Sequence, residues 1–153
     1  MDVRQLVRDS RAMCGHRLEG VEIRTELPDE PVYVQGDPVD LTQVVVNLLV
    51  NAALATESLP ERWIRLLVEP EHGFVRIDVQ DSGTTPAPDV RRAMFTRGFT
   101  TRADAGGSGL GLDICARVVE AHGGAISLDE TAEHTTFQVL LPGAGAGARA
   151  ALA

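Results

Sequence analysis

The stretch that decides the fold is glycine-rich, Gly106-Gly107-Ser108-Gly109-Leu110-Gly111-Leu112, and a helix-like run from Asp113 to His122 follows it directly. Glycine has no Cβ atom, so a ligand can approach the peptide N–H groups of such a loop closely. A helix that begins just behind the loop adds unpaired N–H donors and the positive end of its dipole, which suits phosphate. A short glycine-rich loop is also typical of a flexible surface connection, so the rest of the chain has to decide between the two interpretations.

Length and composition predict one soluble globular domain. The chain has 153 residues, of which 44% are hydrophobic and 24% charged, and no apolar run approaches the roughly 20 residues of a membrane span. The N-terminus lacks the apolar core of a signal peptide. Cys14 and Cys115 have no metal-like spacing and are predicted to be buried free thiols. We therefore expect a cytoplasmic domain without direct membrane contact.

The charged residues exclude several classes of function. The formal net charge is −8, so a nucleic-acid backbone is not expected as a partner. All fourteen basic residues are arginine, and the chain contains no lysine. This excludes a Walker-A P-loop, a Schiff-base enzyme and the usual protein-kinase lysine. Phosphate would have to be bound by backbone amides, arginine, hydroxyls or a metal.

Periodicity predicts amphipathic helices and strands, and the strands come in adjacent pairs rather than alternating singly with helices. The first helix is expected from an Asp2 cap to Gly15, with one apolar side. That side contains Val3, Leu6, Val7, Ser10 and Met13. The predicted strands are Val21 to Leu27 with a short partner at Val32 to Val34, Trp63 to Glu69 and Phe74 to Gln80 across a turn at Pro70 to Gly73, Ala125 to Leu128, and Thr135 to Leu141.

The second predicted helix has a polar stripe. Asp37 stands at its cap and Pro38 at its first position, and its apolar face comprises Leu41, Val44, Val45, Leu48 and Ala52. Gln43, Asn47 and Asn51 recur at i, i+4 and i+8, so their amides lie on one side. Asparagine oxygens suit a hard cation such as Mg²⁺, and a solvated helix edge is the alternative.

Two further stretches carry polar groups. Asp81-Ser82-Gly83 follows a predicted strand, where the carboxylate can accept a hydrogen bond from a ligand amine or form an Asx-type turn. A short helix is predicted from Pro86 to Met94. Phe95 to Arg102 combines aromatics, hydroxyls and arginine, and Ala103 to Gly107 has the composition of a mobile lid. His122 is predicted to be a helix-end residue rather than a ligand.

These motifs together resemble the catalytic and ATP-binding domain of two-component sensor histidine kinases, in the group that includes gyrase-type and Hsp90-type ATPases. The matching stretches are Asp37 to Gln43 with Asn47 to Ala52 (N box), Asp81 to Gly83 (first glycine box), Phe95 to Arg102 (F box), Gly107 to Leu112 (second glycine box), and Thr135 to Pro142 (final strand). Five motifs in the family's order are far more specific than the glycine-rich loop alone.

The resemblance implies a role for each matching residue. Asn51 would hold Mg²⁺ with Asn47 beside it, and Asn47 occupies the position at which ATPase relatives have a water-activating glutamate. Asp81 would accept the adenine amino group, Gly83 would give the base room, and Thr135 would support the adenine end. The residues implied near the phosphates are Thr100, Thr101, Arg102, Gly107, Gly109, Leu110, Gly111 and Leu112.

The implied fold is an α/β two-layer sandwich, with helices on one face of a mixed sheet (the Bergerat-type ATP-binding fold). It is expected to span residues 1–142, followed by a flexible alanine- and glycine-rich tail at 143–153. The implied function is Mg-ATP-dependent transfer of the γ-phosphoryl group to a histidine on a separate dimerisation and phosphoacceptor domain, and through it to a response regulator. The domain could be the cytoplasmic part of a membrane sensor.

Three departures from the family pattern leave other functions open. Thr85 stands where the first glycine box has its second glycine, Leu54 replaces a frequent basic residue, and His134 replaces the glycine before Thr135. Thr85 and Leu54 favour a degenerate nucleotide-binding or protein-interaction module without kinase activity. A serine kinase of the anti-sigma-factor type is a further alternative on the same fold.

Overall fold

A computed structural model describes residues 1–93 and 110–144, with only the backbone described for residues 91–93 and 110. The helices are α1 (Val3–Cys14), α2 (Pro38–Ala55), α3 (Pro88–Ala93) and α4 (Leu110–Ala121). The strands are β1 (Glu22–Glu26), β2 (Trp63–Glu71), β3 (Phe74–Thr84), β4 (Ala125–Leu128) and β5 (His134–Pro142). A 3₁₀ turn, Gly15–Leu18, follows α1. The predicted F box, the predicted lid and the tail from residue 145 lie outside the described residues.

Within the described residues the strands form one mixed sheet in the order β1-β2-β3-β5-β4. β1 runs parallel to β2, and the other neighbouring pairs are antiparallel. The helices α1, α2 and α4 pack side by side with α2 in the middle, and α2 and α4 also contact the sheet. Their apolar sides and the inward-facing strand residues form one core that includes Leu41, Leu48, Leu49, Ile64, Leu66, Ile77 and Leu141. The predicted two-layer α/β sandwich is therefore confirmed.

The sequence signals at the ends of the first two helices are also confirmed. Asp2 caps α1 by accepting the Arg4 N–H at 3.0 Å, and Gly15 ends that helix with a φ of 53°. Asp37 caps α2 by accepting the Val39 N–H at 2.8 Å. One residue of the predicted apolar side of α1 was wrong, because Met13 is 67% exposed and Cys14 is buried in its place.

One prediction about strand pairing and one about the extent of a turn were wrong, whereas the predicted hairpin of β2 and β3 is confirmed. Val32 to Val34 does not form a strand beside β1; Tyr33 and Val34 form isolated bridges to Asp2 and Gly143. The partner of β1 is β2, which lies beyond α2 in the chain, so a parallel crossover replaces the predicted local pairing. The turn between β2 and β3 is confined to His72 and Gly73, which have φ values of 50° and 85°.

Pro70 belongs to β2 rather than to the predicted turn. It pairs with Val75 of β3, whereas β1 pairs only with Trp63 to Leu67. The part of β2 that contains Pro70 therefore has no neighbour on the β1 side, where a missing proline N–H is tolerated. Beyond β5, Gly143 and Ala144 of the predicted tail donate hydrogen bonds to the carbonyls of Gly73 and Tyr33.

Helix α2 is long and apolar enough, by length and composition alone, to cross a membrane: it has 18 residues with a mean hydropathy of 1.4. Here it is the core helix between α1 and α4. His122 links the end of α4 to the start of α2, because its Nδ1–H donates to the Val118 carbonyl at 2.7 Å and its Nε2 accepts the Asp37 N–H at 3.1 Å. The helix-end role predicted for His122 agrees with these bonds.

Candidate functional site

The amides predicted on α2 face the first turn of α4. A Cβ atom added to Gly111 would lie 3.9 Å from the side-chain nitrogens of both Asn47 and Asn51. The structure therefore brings two predicted motifs, the asparagines and the second glycine box, into contact. We call Asn47, Asn51 and Gly111 the amide cluster. Leu112 follows in the same helical turn and packs, partly buried, against the core.

The two asparagines differ in their hydrogen bonds. Asn47 Oδ1 accepts from Gln43 Nε2 at 2.7 Å, and Asn47 Nδ2 lies 3.7 Å from the sulfur of Cys115. The half-buried Asn51 amide has no hydrogen-bond partner in residues 1–93 and 110–144. Among the described residues, Asn51 is therefore the better candidate of the two asparagines to bind a ligand.

The donor set of the amide cluster fits Mg²⁺. Magnesium takes few protein ligands and keeps waters or phosphate oxygens in its remaining positions, and an unpartnered amide oxygen is a suitable hard donor. Among the described residues no group of three or more His, Cys, Asp and Glu side chains could hold a metal, so a cage made of protein ligands alone is not found there.

Cys115 contacts the amide cluster through Asn47. Its sulfur is fully buried and lies 3.8 Å from the Val44 carbonyl, and burial raises the pKa of the thiol to about 11. Cys115 therefore stays a neutral thiol, as expected for a buried free cysteine. Sequence reasoning placed it in the core of α4 but gave no signal that it would touch Asn47.

The second group of predicted residues lies at the end of β3. Asp81 continues the inward-facing positions of β3, is only 2% exposed, and pairs with Ile64 of β2. Its Oδ1 accepts the Gly83 N–H at 2.7 Å, whereas Oδ2 has no partner in the described part of the chain. The predicted Asx-type turn is therefore present, and Oδ2 remains a candidate acceptor for a ligand amine. We call Asp81, Gly83 and Thr135 the carboxylate cluster.

Burial dominates the electrostatics of Asp81. It raises the pKa of the carboxyl from 3.8 to about 6, while the Gly83 amide and the charge of His134 act in the opposite direction. A desolvated carboxyl group with one oxygen that has no partner in the described part of the chain is a candidate for ligand recognition.

A side chain at position 83 would displace the Asp81 carboxylate. A Cβ atom on Gly83 would lie 2.8 Å from Asp81 Oδ1, closer than real Cβ contacts allow, and 3.8 Å from the hydroxyl of Thr135. Thr135 Oγ1 donates to the Thr84 carbonyl at 2.8 Å. The three members of the carboxylate cluster are therefore adjacent, as the resemblance implied.

Sequence reasoning missed the bonds that hold this end of β3. Ser82 Oγ accepts the Trp63 N–H at 3.2 Å and donates to the Glu61 carbonyl at 3.0 Å. The Thr85 hydroxyl donates to the Ala132 carbonyl, and the Thr85 N–H to the Glu133 carbonyl at 3.2 Å. Hydroxyl residues at a strand end were the available signal, but their partners depend on the register of β5.

The remaining site predictions are not placed by the structure. Thr100, Thr101, Arg102, Gly107 and Gly109 lie outside the described residues, and only the backbone of Leu110 is described, as the first residue of α4. Because α2 packs against β3, both clusters lie on the helical side of the sheet. A surface cavity of about 340 Å³, lined by Val7, Arg8, Arg11, Thr25 and Leu27, shares no residue with either cluster.

Comparison with known proteins gives matches over most of the chain. Residues 36–145 match the family model described as histidine kinase-, DNA gyrase B- and HSP90-like ATPase. The probable sensor histidine kinase TcrY of Mycobacterium tuberculosis is 40% identical over 125 residues, which cover 76% of this chain and 25% of TcrY. The mycobacterial sensor histidine kinase MprB has a solved structure with a TM-score of 0.80 and 30% identity, covering 94% of this chain and 95% of that one.

A third similar protein was solved with a nucleotide analogue. Full-length ShkA in complex with AMPPNP has a TM-score of 0.79 and 28% identity, covering 94% of this chain and 30% of that one. The present chain spans about a quarter or less of the length of the curated sensor kinases that it matches.

Proposed function

Because the chain belongs to the family of histidine kinase-, DNA gyrase B- and HSP90-like ATPases, we propose that it binds Mg-ATP and transfers the γ-phosphoryl group to a histidine on a separate dimerisation and phosphoacceptor domain. The observation that carries this proposal is Asp81, a buried carboxylate with one oxygen bonded to the Gly83 N–H and the other without a partner among the described residues. The relatives named sensor histidine kinases favour the kinase branch of the family.

The carboxylate cluster is the proposed adenine end. Asp81 Oδ2 accepts a hydrogen bond from the exocyclic amine of adenine, because an ionised carboxylate offers only acceptors. Gly83 leaves room for the base, since a side chain there would already collide with Asp81. The Thr135 hydroxyl donates a hydrogen bond to the Thr84 carbonyl. Its oxygen can therefore still accept a hydrogen bond from the base, directly or through water.

The amide cluster is the proposed phosphate end. Asn51, with Asn47 beside it, would hold Mg²⁺, and the ion would neutralise charge on the triphosphate. The N–H groups at the start of α4 point their dipole toward the phosphates. We assign Gly107, Gly109, Leu110, Gly111 and Leu112, together with Thr100, Thr101 and Arg102, to the same end on the resemblance.

The side chain of Asn47 favours a kinase over a hydrolase. An amide does not accept a proton at neutral pH, so it is a poor base for activating water. In the proposed reaction an imidazole nitrogen of the acceptor attacks the γ-phosphorus, a new N–P bond forms, and the bond to the β–γ bridging oxygen breaks. ADP leaves with that electron pair. A base on the acceptor domain takes the imidazole proton.

The proposed setting is a cytoplasmic signalling pathway. As in two-component systems, the phosphoryl group would pass from the acceptor histidine to a response regulator, and the domain could be the cytoplasmic part of a membrane sensor. The second candidate is a degenerate module, favoured by Thr85, whose bonds to Ala132 and Glu133 restrict the segment next to the base, and by Leu54.

Asp81→Asn tests the proposal, with Asp78→Asn as a matched control. Both aspartates are buried residues of β3, but Asp78 faces the other side of the sheet and pairs with Arg76. Calorimetric titration of ATP with Mg²⁺ should show about a ten- to hundredfold loss of affinity for Asp81→Asn, because a charge-assisted hydrogen bond contributes about 1.5–3 kcal/mol. Asp78→Asn should bind ATP like the wild type.

Phosphoryl transfer is measured with labelled ATP and a histidine phosphoacceptor domain. Acid-labile phosphohistidine is the expected product. ATP binding that is equal in Asp81→Asn and the wild type would refute the adenine assignment, and wild-type chain that binds no ATP would favour the degenerate module. Acid-stable phosphate on a serine acceptor would instead identify the anti-sigma-factor type of kinase.

A further inference from the structure

The end of β3 next to Asp81 is irregular. The register between β3 and β5 shifts between Gln80 and Thr84, so the three residues between them have no Cα partner on β5. A segment without a partner on the β5 side needs other contacts on that side to hold one conformation. His134, the first residue of β5, supplies such a contact to Gly83.

His134 holds the carbonyl of Gly83. Its Nδ1 lies 3.2 Å from that oxygen, and a carbonyl only accepts, so Nδ1 carries the hydrogen and donates it. The Gly83 N–H in turn donates to Asp81 Oδ1 at 2.7 Å. His134, Gly83 and Asp81 therefore form a chain of two hydrogen bonds that passes through one peptide group on each side of Gly83.

The orientation of the imidazole is itself fixed. Its ring meets the Trp63 ring edge-to-face, with centroids 4.9 Å apart and an interplanar angle of 80°. The Arg24 guanidinium lies 5.0 Å from the centroid of the Trp63 ring. Such aromatic and cation–π contacts restrict the ring beyond what burial alone would do.

We propose that His134 is a positioning residue for adenine recognition, which fixes the Asp81–Gly83 turn through the Gly83 carbonyl. A positive charge on His134 would in addition favour the carboxylate form of Asp81. The proposal rests on the proposed function, because it assigns His134 to the same adenine end.

The charged groups around His134 and Asp81 determine how adenine binding should depend on pH. In the described part of the chain, the groups acting on the Asp81 carboxyl besides its own burial are the Gly83 amide and His134, and both lower its pKa. Two further charged residues close to these groups among the described residues are Arg24, next to Trp63, and Glu133, which precedes His134. Replacing His134 by a neutral residue should raise the pH below which Asp81 is protonated and adenine binding is lost.

The test compares His134→Asn and His134→Ala with the wild-type chain in titrations of ADP without metal. At about pH 8, where the carboxylate form dominates, His134→Ala should bind ADP about fivefold more weakly, because a neutral hydrogen bond is lost. His134→Asn should restore the affinity to within about twofold, since its amide can donate from nearly the same position.

The same titrations repeated at falling pH supply the readout that a merely structural role would not change. Both variants should lose ADP affinity at higher pH than the wild type, and His134→Asn should do so even though it binds normally at high pH. His16→Asn, at an exposed histidine of the 3₁₀ turn, is the matched control and should follow the wild-type profile. Thermal melts establish that each variant is folded.

Each outcome separates the two proposals. Wild-type chain that does not bind ADP would refute the proposed function and this inference with it. Wild-type binding with an unchanged His134→Ala affinity, or without rescue by His134→Asn, would overturn only the positioning role. Coincident pH profiles of His134→Asn and the wild type would overturn the electrostatic part. If His134→Ala does not fold, the affinity and pH profile of His134→Asn still decide.

Discussion

The two clusters of the candidate site differ in how many of their polar groups have hydrogen-bond partners within the protein. In the carboxylate cluster the Gly83 N–H, the Thr135 hydroxyl and the Gly83 carbonyl all have partners within 3.2 Å, and Asp81 Oδ2 has no partner within residues 1–93 and 110–144. In the amide cluster Asn51 has no partner among the described residues, and Asn47 Nδ2 has only a sulfur at 3.7 Å.

This difference matches what each end would have to bind. A planar base offers few donors and acceptors in fixed directions, so a prearranged site avoids the entropy of ordering its own groups on binding. A hydrated metal ion and phosphates bring several strong ligands of their own, and they can order an amide that has no other bond. The following predictions test whether one end is prearranged and the other depends on its ligand.

The largest contrast is expected between two glycine substitutions. In Gly83→Ala the new Cβ would lie 2.8 Å from Asp81 Oδ1, so we expect a loss of about 3 kcal/mol in the free energy of unfolding from overpacking. In Gly111→Ala the nearest atoms are 3.9 Å away, and helix propensity should raise the free energy of unfolding by about 0.5–1 kcal/mol. Denaturant unfolding of both variants measures the two effects, and a destabilised Gly111→Ala would contradict the open geometry at the amide cluster.

A buried carboxylate kept for binding should lower stability. The pKa of Asp81 is raised from 3.8 to about 6 by burial, so the folded protein favours the protonated form, and stability falls as the pH rises through this range. Asp81→Asn removes the effect and should raise the free energy of unfolding by about 2 kcal/mol at neutral pH, with no gain below about pH 4.

Urea unfolding at neutral and acidic pH checks this sign. Asp129→Asn is the control here, because hydrogen bonds to Thr131 lower the pKa of the Asp129 carboxyl, so this substitution should not stabilise the protein at neutral pH. If the free energy of unfolding at neutral pH is equal for Asp81→Asn and the wild type, burial of the ionised Asp81 carboxylate does not destabilise the fold. The contrast between the two clusters would then be weaker.

Asn51 should matter only when metal is present. Asn51→Ala is expected to weaken ATP binding about tenfold with Mg²⁺ and little in EDTA, because the lost amide oxygen is assigned to the ion. Asn51→Asp retains an oxygen and should bind Mg-ATP more tightly than Asn51→Ala does. In EDTA it should bind ATP more weakly than Asn51→Ala, because its negative charge repels the phosphates. Equal losses for Asn51→Ala under both conditions would indicate a packing role.

Local sequence signals sufficed where a residue acts on its own element. The Asp37-Pro38 start of α2, the amide stripe, and the helix behind the glycine-rich stretch are set by i, i+4 geometry and capping, and the structure has all of them. The adjacency of Asp81, Gly83 and Thr135 followed from the family resemblance rather than from any local pattern.

Contacts between distant segments were not predictable in this way. The parallel pairing of β1 with β2 depends on a crossover through α2, whereas the sequence favoured the nearest strand-like run, Val32 to Val34. Likewise, the contact of His134 with Gly83 exists only because the β3–β5 register shifts after Gln80. No residue pattern within β5 signals that shift.

The smallest predicted effect concerns the hydroxyl of Thr135. Thr135→Val keeps the shape of the side chain but removes the hydrogen bond to the Thr84 carbonyl. Because this bond helps to hold the end of β3, ATP affinity should fall about fivefold. Thr135→Ser keeps the hydroxyl and should bind within about twofold of the wild type. Thr136→Val is the matched control, because Thr136 is equally buried but its hydroxyl bonds to the His134 carbonyl and Gln80. It should destabilise the fold by a similar amount and leave ATP affinity unchanged. Equal affinity losses in Thr135→Val and Thr136→Val would show that both act through the stability of β5, and the prearranged end would then reduce to Asp81 and Gly83.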